Sequence, residues 1–176
     1  MSKKLLMNNY SADNDEIILC ENYSSGQSCY LWQDKMIDWD KYELYIYVDI
    51  SAITSSSWSS ILTIDSTTNI EEWGNNKKLH LYGSLSHLRI QPVMPNINTA
   101  SFTKDFLLAN YNKQRLQIII NKNGVYLEEK LMVSVTSNEL LRIVMDSLKT
   151  STTIGFTNSV CIYNKVSLRK YIERGE

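Results

Sequence analysis

Residues 42–50 read YELYIYVDI, and this stretch decides the fold class. Its aliphatic residues take every second position from Leu44 to Ile50, and Tyr45 and Tyr47 stand between them. Because successive side chains of a β-strand point to opposite faces, one face of this strand is aliphatic and the other is aromatic and polar. The stretch therefore predicts a strand whose aliphatic face packs into a core.

The same two-residue period recurs along much of the chain. Further strands are predicted at 57–65, 78–82, 87–91, 115–121, 125–127, 131–136 and 152–166. The pair Asn123-Gly124 between two of them predicts a tight hairpin. In the strand at 57–65, Trp58 shares its parity with Leu62 and Ile64, which predicts a core position for the indole ring.

Other stretches interrupt this period. Pro92 and Pro95 predict a loop or crossover over 92–103, because proline cannot donate to a strand ladder. The stretch 138–149 fits the period of a strand and that of a helix, and both assignments stay open. The segment Ser167–Arg174 predicts a short helical turn behind a serine cap.

Strands that follow one another without long helices pair antiparallel, and 176 residues are enough for two stacked sheets. The chain shows no internal repeat, linker or low-complexity boundary. The sequence therefore predicts a single domain over residues 1–176. Its fold class is all-β, an antiparallel two-sheet jelly-roll sandwich with at most short helical turns.

Composition and charge exclude several classes of partner. The net charge is −1, so no basic field is available to hold a nucleic acid. The longest apolar runs fall far below the roughly 20 residues of a membrane span or the roughly 7–15 of a signal-peptide core. We therefore expect no membrane insertion and a cytoplasmic or virion-associated protein. Three cysteines, an odd number, do not indicate a disulfide scaffold.

Two segments resemble concanavalin-A-like lectin domains, which include the laminin-G-like ones. The strand, Asn-Gly turn and strand at 115–131 are similar to a hairpin of that family, and Ile154–Ile172 is similar to its closing strands. The sequence departs from the pattern at Gln114-Arg115, where Trp-His is common, and at Glu128–Lys130, where Asn-Gly is usual. The resemblance implies a jelly-roll sandwich that binds glycans or proteins, in some members with calcium, and the family also has catalytic members.

The carboxylates do not form a catalytic pattern. Glycosidases use two carboxylates that face the same sugar, and the resemblance implies that catalytic members place them on one strand with a spacing that puts both on the same face. Glu128 and Glu129 are adjacent, so a strand would point them to opposite faces, and Glu71-Glu72 have the same spacing. These pairs predict a solvated surface. We therefore expect a protein that is not an enzyme.

Metal binding has weak candidates. Asp34, Asp38, Asp40 and Glu43 form the densest acidic stretch, which is either a polar turn or a loop that holds Ca²⁺. His80 and His87 lie seven residues apart, so a continuous strand would aim them to opposite faces, and a shared metal would require a bend. The sequence predicts no cofactor, with calcium as the alternative.

Loop aromatics and polar groups supply the candidate ligand-binding residues. Sugar rings stack on aromatic side chains, and their hydroxyls meet amides, carboxylates and guanidinium groups. Trp73 stands in a polar, glycine-containing stretch with Asn75 and Asn76, and Tyr45 and Tyr47 line the non-aliphatic face of their strand. These five residues are the predicted site. The alternatives are a Trp73 folded back over the sandwich edge and a tyrosine pair that covers a solvated sheet.

These features favour a non-catalytic binding module, with a cell-surface glycan or a protein as its ligand. An adhesion role fits the class, for example as a tail or receptor-binding component of a phage virion. The alternative is a structural or assembly protein that uses the sandwich for protein–protein contacts and binds no sugar. Either function is compatible with an oligomer.

Overall fold

The computed structural model describes residues 3–6, 16–24, 29–32, 37–66, 76–150, 152–156 and 160–174, and for 3–6 and 29–32 it gives the backbone alone. Within these ranges the strands, numbered β1 to β13 in chain order, are Lys3–Leu6, Glu16–Ser24, Cys29–Trp32, Tyr42–Asp49, Ser59–Asp65, Lys78–Gly83, His87–Val93, Lys104–Leu107, Leu116–Asn121, Gly124–Leu127, Lys130–Ser134, Thr153–Phe156 and Ile162–Lys170. Helix α1 spans Glu139–Ser147, and a short 3₁₀ helix spans Lys113–Arg115.

The described strands form two sheets that pack face to face. The seven-stranded sheet has the order β1-β3-β12-β5-β6-β7-β8, and the six-stranded sheet has the order β11-β10-β9-β4-β13-β2. Neighbouring strands in this part of the chain pair antiparallel, apart from β1 and β3, which are parallel. The predicted all-β, two-sheet sandwich is confirmed.

The aliphatic stripe of β4 lies at the centre of the core. Leu44, Ile46, Val48 and Ile50 are all 0% exposed. They join aliphatic residues from both sheets in one large hydrophobic cluster. Burial of each such side chain contributes roughly 1.5–3 kcal/mol to folding. The two-residue period of residues 42–50 thus identifies the face of this central strand that points into the core.

The stretch 138–149 contains helix α1, so the helical period prevails there. The side-chain oxygen of Asn138 caps the helix and accepts from the amide N–H of Leu141 at 3.1 Å. Leu141, Val144 and Leu148, which share one helix face, are fully buried against the sandwich core. In the described parts of the chain, no helix has the length and apolar character to cross a membrane.

The predicted Asn-Gly hairpin is confirmed. Lys122 and Asn123 join β9 to β10, and the side-chain oxygen of Asn121 accepts from the amide N–H of Asn123 at 2.9 Å. Gly124 follows with a φ of +141°, a conformation that side chains rarely adopt. A Cβ at this position would lie 1.9 Å from the carbonyl oxygen of Val133. The hairpin therefore requires glycine at position 124.

The helical turn predicted at Ser167–Arg174 is wrong, because its first half is the end of β13. This strand lies inside the six-stranded sheet and pairs with β4 on one side and with β2 on the other. Val166 and Leu168 are fully buried in the core. Backbone hydrogen bonds on both edges of a strand hold it extended and override the local helical spacing of its side chains.

Pro92 lies within β7, so the predicted loop begins later than the sequence suggests. Strand β8 pairs with β7 only along His87–Ile90. Beyond Ile90, β7 pairs with β6 on one edge, and on its other edge the described residues form no ladder. The missing N–H of the proline is tolerated on an edge without a second ladder.

Candidate functional site

The outer side of the seven-stranded sheet carries a continuous set of polar and aromatic side chains. Leu79 and Ile90 point into the core, so the residues that alternate with them point outward. The register places His80 beside Thr63 on β5 and beside Gln91 on β7. We call this surface the polar face, and its side chains are Thr63, Asp65, Lys78, His80, Tyr82, Arg89, Gln91, Asp105 and Thr153.

One end of the polar face is covered by other parts of the protein. Thr63, Asp65 and Thr153 point away from the core, and yet they are at most 2% exposed. Lys78, the register partner of Asp65, is also buried. Buried polar groups need hydrogen-bond partners, and these four side chains lie side by side on neighbouring strands. The face is therefore closed at this end and open towards Arg89 and Asp105.

His80 marks the boundary between the closed and the open end. Its Nδ1 lies 2.8 Å from the hydroxyl of Thr63, and its ring lies 5.2 Å from that of Tyr82. Burial, together with the smaller effect of the positive charge of Lys78, lowers the pKa of His80 to about 4. The imidazole is therefore neutral near pH 7 and holds a fixed hydrogen bond.

The low pKa of His80 makes stability depend on pH. Between pH 6.5 and about 4 the unfolded chain binds a proton at His80 and the folded protein does not, so stability falls as the pH falls. We expect His80→Gln to remove a loss on the order of 2 kcal/mol across this interval. Urea unfolding at pH 7.5 and pH 4.5 measures it. His87→Gln is the matched control, and an equal change in both variants would contradict the assignment.

The open end of the polar face holds an arginine between a tryptophan and a carboxylate. The guanidinium of Arg89 lies 4.1 Å from the ring centre of Trp58. Its Nε and Nη2 donate to the two carboxylate oxygens of Asp105 at 2.8 and 2.9 Å. This bidentate pair fixes the arginine, and the arginine in turn supports one face of the indole. Trp58 remains 36% exposed.

The ion pair also shifts the titration of its members. The hydrogen bond to Asp105 raises the pKa of Arg89, and the hydrogen bond from Arg89 lowers the pKa of Asp105. Burial raises the pKa of Tyr82, the register partner of Arg89. At neutral pH this end therefore presents an intact ion pair beside an uncharged phenol.

Trp58 does not occupy the core position that its parity predicted. The ladder between β5 and β6 is irregular between Ser60 and Leu62, so the alternation that holds for Leu62 and Ile64 does not extend back to the tryptophan. Ile61 takes a place in the core instead, with 0% exposure. The alternation of apolar residues in the sequence does not show where a strand has a bulge. The core position predicted for Trp58 is wrong for this reason.

The loop before β5 presents Trp58 at the polar face. The backbone carbonyl of Ser55 accepts from the amide N–H of Leu85, in the turn between β6 and β7, at 2.8 Å. Within the loop, the hydroxyl of Ser55 accepts from the amide N–H of Ser57 at 3.0 Å. These bonds order the loop and tie it to the turn that precedes the strand of Arg89.

Three of the five residues that the sequence predicted as the site are described by the structure, and Asn76 lies apart from Tyr45 and Tyr47. Trp73 and Asn75 fall outside the described residues. Asn76 is half-buried and lines a pocket of about 310 Å³ with Ser66 and Lys77, at the end of the seven-stranded sheet. Tyr45 and Tyr47 belong to the other sheet.

Tyr45 and Tyr47 stack on the outer face of the six-stranded sheet, with ring centres 6.4 Å apart and planes at 6°. The guanidinium of Arg169 lies 3.7 Å from the ring centre of Tyr45. Tyr45 is buried and packs with Ile119 and Tyr126 in a second, smaller hydrophobic cluster. Tyr47 is half-buried at the border of that cluster.

A buried ion pair lies beside this second cluster. Glu43 is 0% exposed, and its two oxygens accept from Nη1 and Nη2 of Arg174 at 2.7 and 2.6 Å. Nε of Arg174 donates to Glu129 at 2.7 Å. These hydrogen bonds raise the pKa of Arg174 above its ordinary value, the bond to Glu43 most strongly. Glu43 is therefore a partner of arginine in the fold.

The acidic stretch that suggested calcium is divided among different partners. Asp38 caps its own turn and lies 3.9 Å from Lys41, and Asp40 lies 3.7 Å from Lys122. Asp34 falls outside the described residues. In the ranges that the structure describes, no group of three His, Cys, Asp or Glu side chains is arranged to hold a metal ion.

The two histidines lie on two paired strands and not on one continuous strand, and they point to the same side of the sheet. The chain reverses between β6 and β7, so His80 and His87 alternate with core residues of two different strands. His80 contacts Thr63, and His87 contacts the hydroxyl of Ser86 at 2.7 Å. Four positions of β7 separate His87 from Gln91, the partner of His80, which is about 13 Å.

Comparison with known proteins supports the fold. No protein-family model matches the chain, and no curated protein matches it significantly. Among solved structures, the crystal structure of A. japonicus CB05 superposes on 92% of this chain with a TM-score of 0.54 and 11% sequence identity. The matched region covers 27% of that longer chain. The comparison shows that this chain and the matched region of A. japonicus CB05 share a fold.

Proposed function

We propose that the protein is a non-catalytic glycan-binding module whose site is the open end of the polar face. The observation that carries this proposal is the exposed ring of Trp58, held in place by the bidentate pair of Arg89 and Asp105. The two-sheet sandwich supports it through the resemblance to concanavalin-A-like lectin domains. Tyr82 and Gln91 extend the site along the sheet.

The chemistry of this surface suits a sugar. The apolar face of a hexose stacks on an aromatic ring, and its hydroxyls require planar donors and acceptors at fixed positions. Trp58 offers the ring, and Arg89, Asp105 and Gln91 offer the polar groups. Since the arginine is already bound on one edge, little side-chain entropy is lost when a ligand arrives.

The positions of the carboxylates support a binding role over glycoside hydrolysis. Asp65 and Asp105 are the carboxylates of the polar face, and they lie on β5 and β8, three strand spacings apart. That is about 14 Å across the sheet, whereas a catalytic pair lies roughly 5–9.5 Å apart. Asp65 is also buried, and Asp105 is paired with Arg89.

Replacing Trp58 by alanine tests the site. We expect Trp58→Ala to weaken glycan binding about tenfold or more, because it removes the stacking surface. Affinities are measured by calorimetry with the strongest ligand from a glycan array.

Two matched variants separate this site from the one predicted from sequence. Tyr47→Ala removes an aromatic ring from the other sheet. Trp73→Ala removes the tryptophan that the sequence predicted as part of the site. We expect both to bind like the wild type. Loss of binding in either variant, with Trp58→Ala unaffected, would place the site elsewhere.

Two exposed leucines favour a second candidate function, which is contact with another protein. Leu85 and Leu107 are 50% and 64% exposed, and Leu107 pairs with His87 at the edge of the polar face. Apolar residues beside a ligand platform also serve protein interfaces. Light scattering combined with a glycan array separates the two functions: a stable oligomer that binds no glycan would favour the assembly role.

A further inference from the structure

Asp105 occupies one of the edges of the Arg89 guanidinium that could otherwise recognise an acidic ligand. Nε and Nη2 form one edge of the guanidinium, and both donate to the carboxylate of Asp105. This edge-on, two-bond geometry is the one by which arginine binds carboxylates and other planar anions. An acidic sugar that stacked on Trp58 would therefore meet an arginine whose Nε–Nη2 edge is filled and whose charge is balanced by Asp105.

Lys113 near this end also has an acceptor, whereas Lys104, which precedes Asp105 on β8, is exposed. Lys113 donates its amine to the backbone carbonyl of Leu85, in the turn that is tied to the loop of Trp58. Lys78 lies at the closed end, where Asp65 is its register partner. The positive charges of Lys78 and Arg89 thus balance the negative charges of Asp65 and Asp105 on the polar face.

The remaining donors of Arg89 suit hydroxyl groups. The bonds to Asp105 use Nε and Nη2, which leaves Nη1 outside the pair. A donor of a neutralised ion pair binds a sugar hydroxyl, since that interaction needs no net charge. A uronate or sulfate in the same place would gain little from the arginine and would be repelled by Asp105.

We propose that Asp105 is a specificity-determining residue that restricts the open end of the polar face to uncharged glycans. This inference rests on the glycan-binding function proposed above and adds the ligand class to it. It predicts that removal of the carboxylate charge frees Arg89 as an anion receptor without removing Trp58. Neutral oligosaccharides are then the natural ligand class, and acidic ones become ligands when Asp105 is replaced.

The test compares three proteins on one array of neutral oligosaccharides and their C6-oxidised and O-sulfated counterparts. We expect the wild type to prefer a neutral oligosaccharide over its acidic counterpart by about tenfold. Asp105→Asn keeps the size of the side chain, and we expect it to shift that ratio towards the acidic glycan by about tenfold. Arg89→Gln/Asp105→Asn is expected to lose the shift, because the receptor itself is gone.

The outcomes separate the two proposals. A wild type that prefers acidic glycans, or an Asp105→Asn variant with an unchanged ratio, overturns the role of Asp105 while glycan binding stands. Absence of binding to every glycan in all three proteins overturns the proposed function and this inference with it. Thermal unfolding of each variant checks its fold, and Asp105→Ser provides a second neutral replacement if Asp105→Asn does not fold.

Discussion

Replacing Arg174 by alanine is expected to lower the free energy of unfolding by about 3–5 kcal/mol. The residue lies after β13, outside regular secondary structure, and a typical arginine there would contribute little. Its two Nη groups, however, donate to both oxygens of Glu43, a carboxylate that is 0% exposed. Alanine would leave this buried charge without its cation.

The other groups around Glu43 cannot replace the arginine. The side-chain amide of Asn121 and the backbone N–H of Ile172 donate to it over 3.3 and 3.4 Å, and both are neutral. Arg174 also binds Glu129 through Nε, and its guanidinium lies 5.2 Å from the ring centre of Tyr126. One side chain thus links the sheet, the β10–β11 turn and the segment after β13.

Urea unfolding of Arg174→Ala and of a matched control measures this effect. Arg142→Ala is the control, because Arg142 also has two acidic neighbours and is 51% exposed. We expect the control to lose at most about 1 kcal/mol. The double variant Glu43→Leu/Arg174→Met should recover much of the loss, since it removes both charges. Equal losses in Arg174→Ala and Arg142→Ala would show that the buried pair does not stabilise the fold.

Gly124→Ala is expected to destabilise the protein by about 3 kcal/mol or more. Two independent reasons add together. The φ of +141° is strained for any side chain, and the new Cβ would overlap the carbonyl oxygen of Val133 at 1.9 Å. That oxygen belongs to the backbone of β11, so relief of the overlap would require separation of two paired strands.

Gly83→Ala is the matched control for this prediction. Its Cβ would meet the methyl ends of Ile53 and Ile61 at 2.9 and 3.2 Å, and these side chains can shift. We expect a cost of about 1–2 kcal/mol there, clearly smaller than at position 124. Thermal and urea unfolding of both variants compare the costs. A Gly124→Ala protein as stable as Gly83→Ala would contradict the hairpin geometry.

The alternation of residues in β4 was enough to predict the fold class. Successive residues of that strand point alternately into the core and away from it, so the local sequence records the position of the core directly. The Asn-Gly hairpin was predictable for a similar reason, because its backbone requirement belongs to Gly124 alone. Strands β2 and β8 were not predicted: β2 reads EIILCENYS, and β8 is four residues long.

Features that depend on an irregular ladder or on distant partners could not be predicted. The irregularity after Ser60 reverses the parity of the strand and places Trp58 at the surface. Glu128 and Glu129 are exposed, as predicted, but the sequence did not predict that they form a two-residue turn with φ values of +49° and +68°. Such a turn favours Asn-Gly, and here bonds of both side chains, to Gln117 and Arg174, accompany the strain.

The candidate site illustrates the same limit. Arg89 and Asp105 are 16 residues apart, and they meet because β7 and β8 pair in one particular register. The sequence does carry a signal for the polar face, since His80 and Tyr82 alternate with Leu79 and Leu81. No pattern in the sequence predicts that Trp58 lies beside Arg89 at the surface.

The most direct test of glycan binding at the polar face is an NMR titration of the ¹⁵N-labelled protein. The probes are cellohexaose, maltohexaose and mannohexaose, three neutral oligosaccharides of equal length. We expect at least one of them to shift the indole N–H of Trp58 and the backbone amides of Arg89 and Asp105. Shifts confined to Tyr45 and Tyr47, or no shifts with any of these sugars, would contradict a glycan site at Trp58.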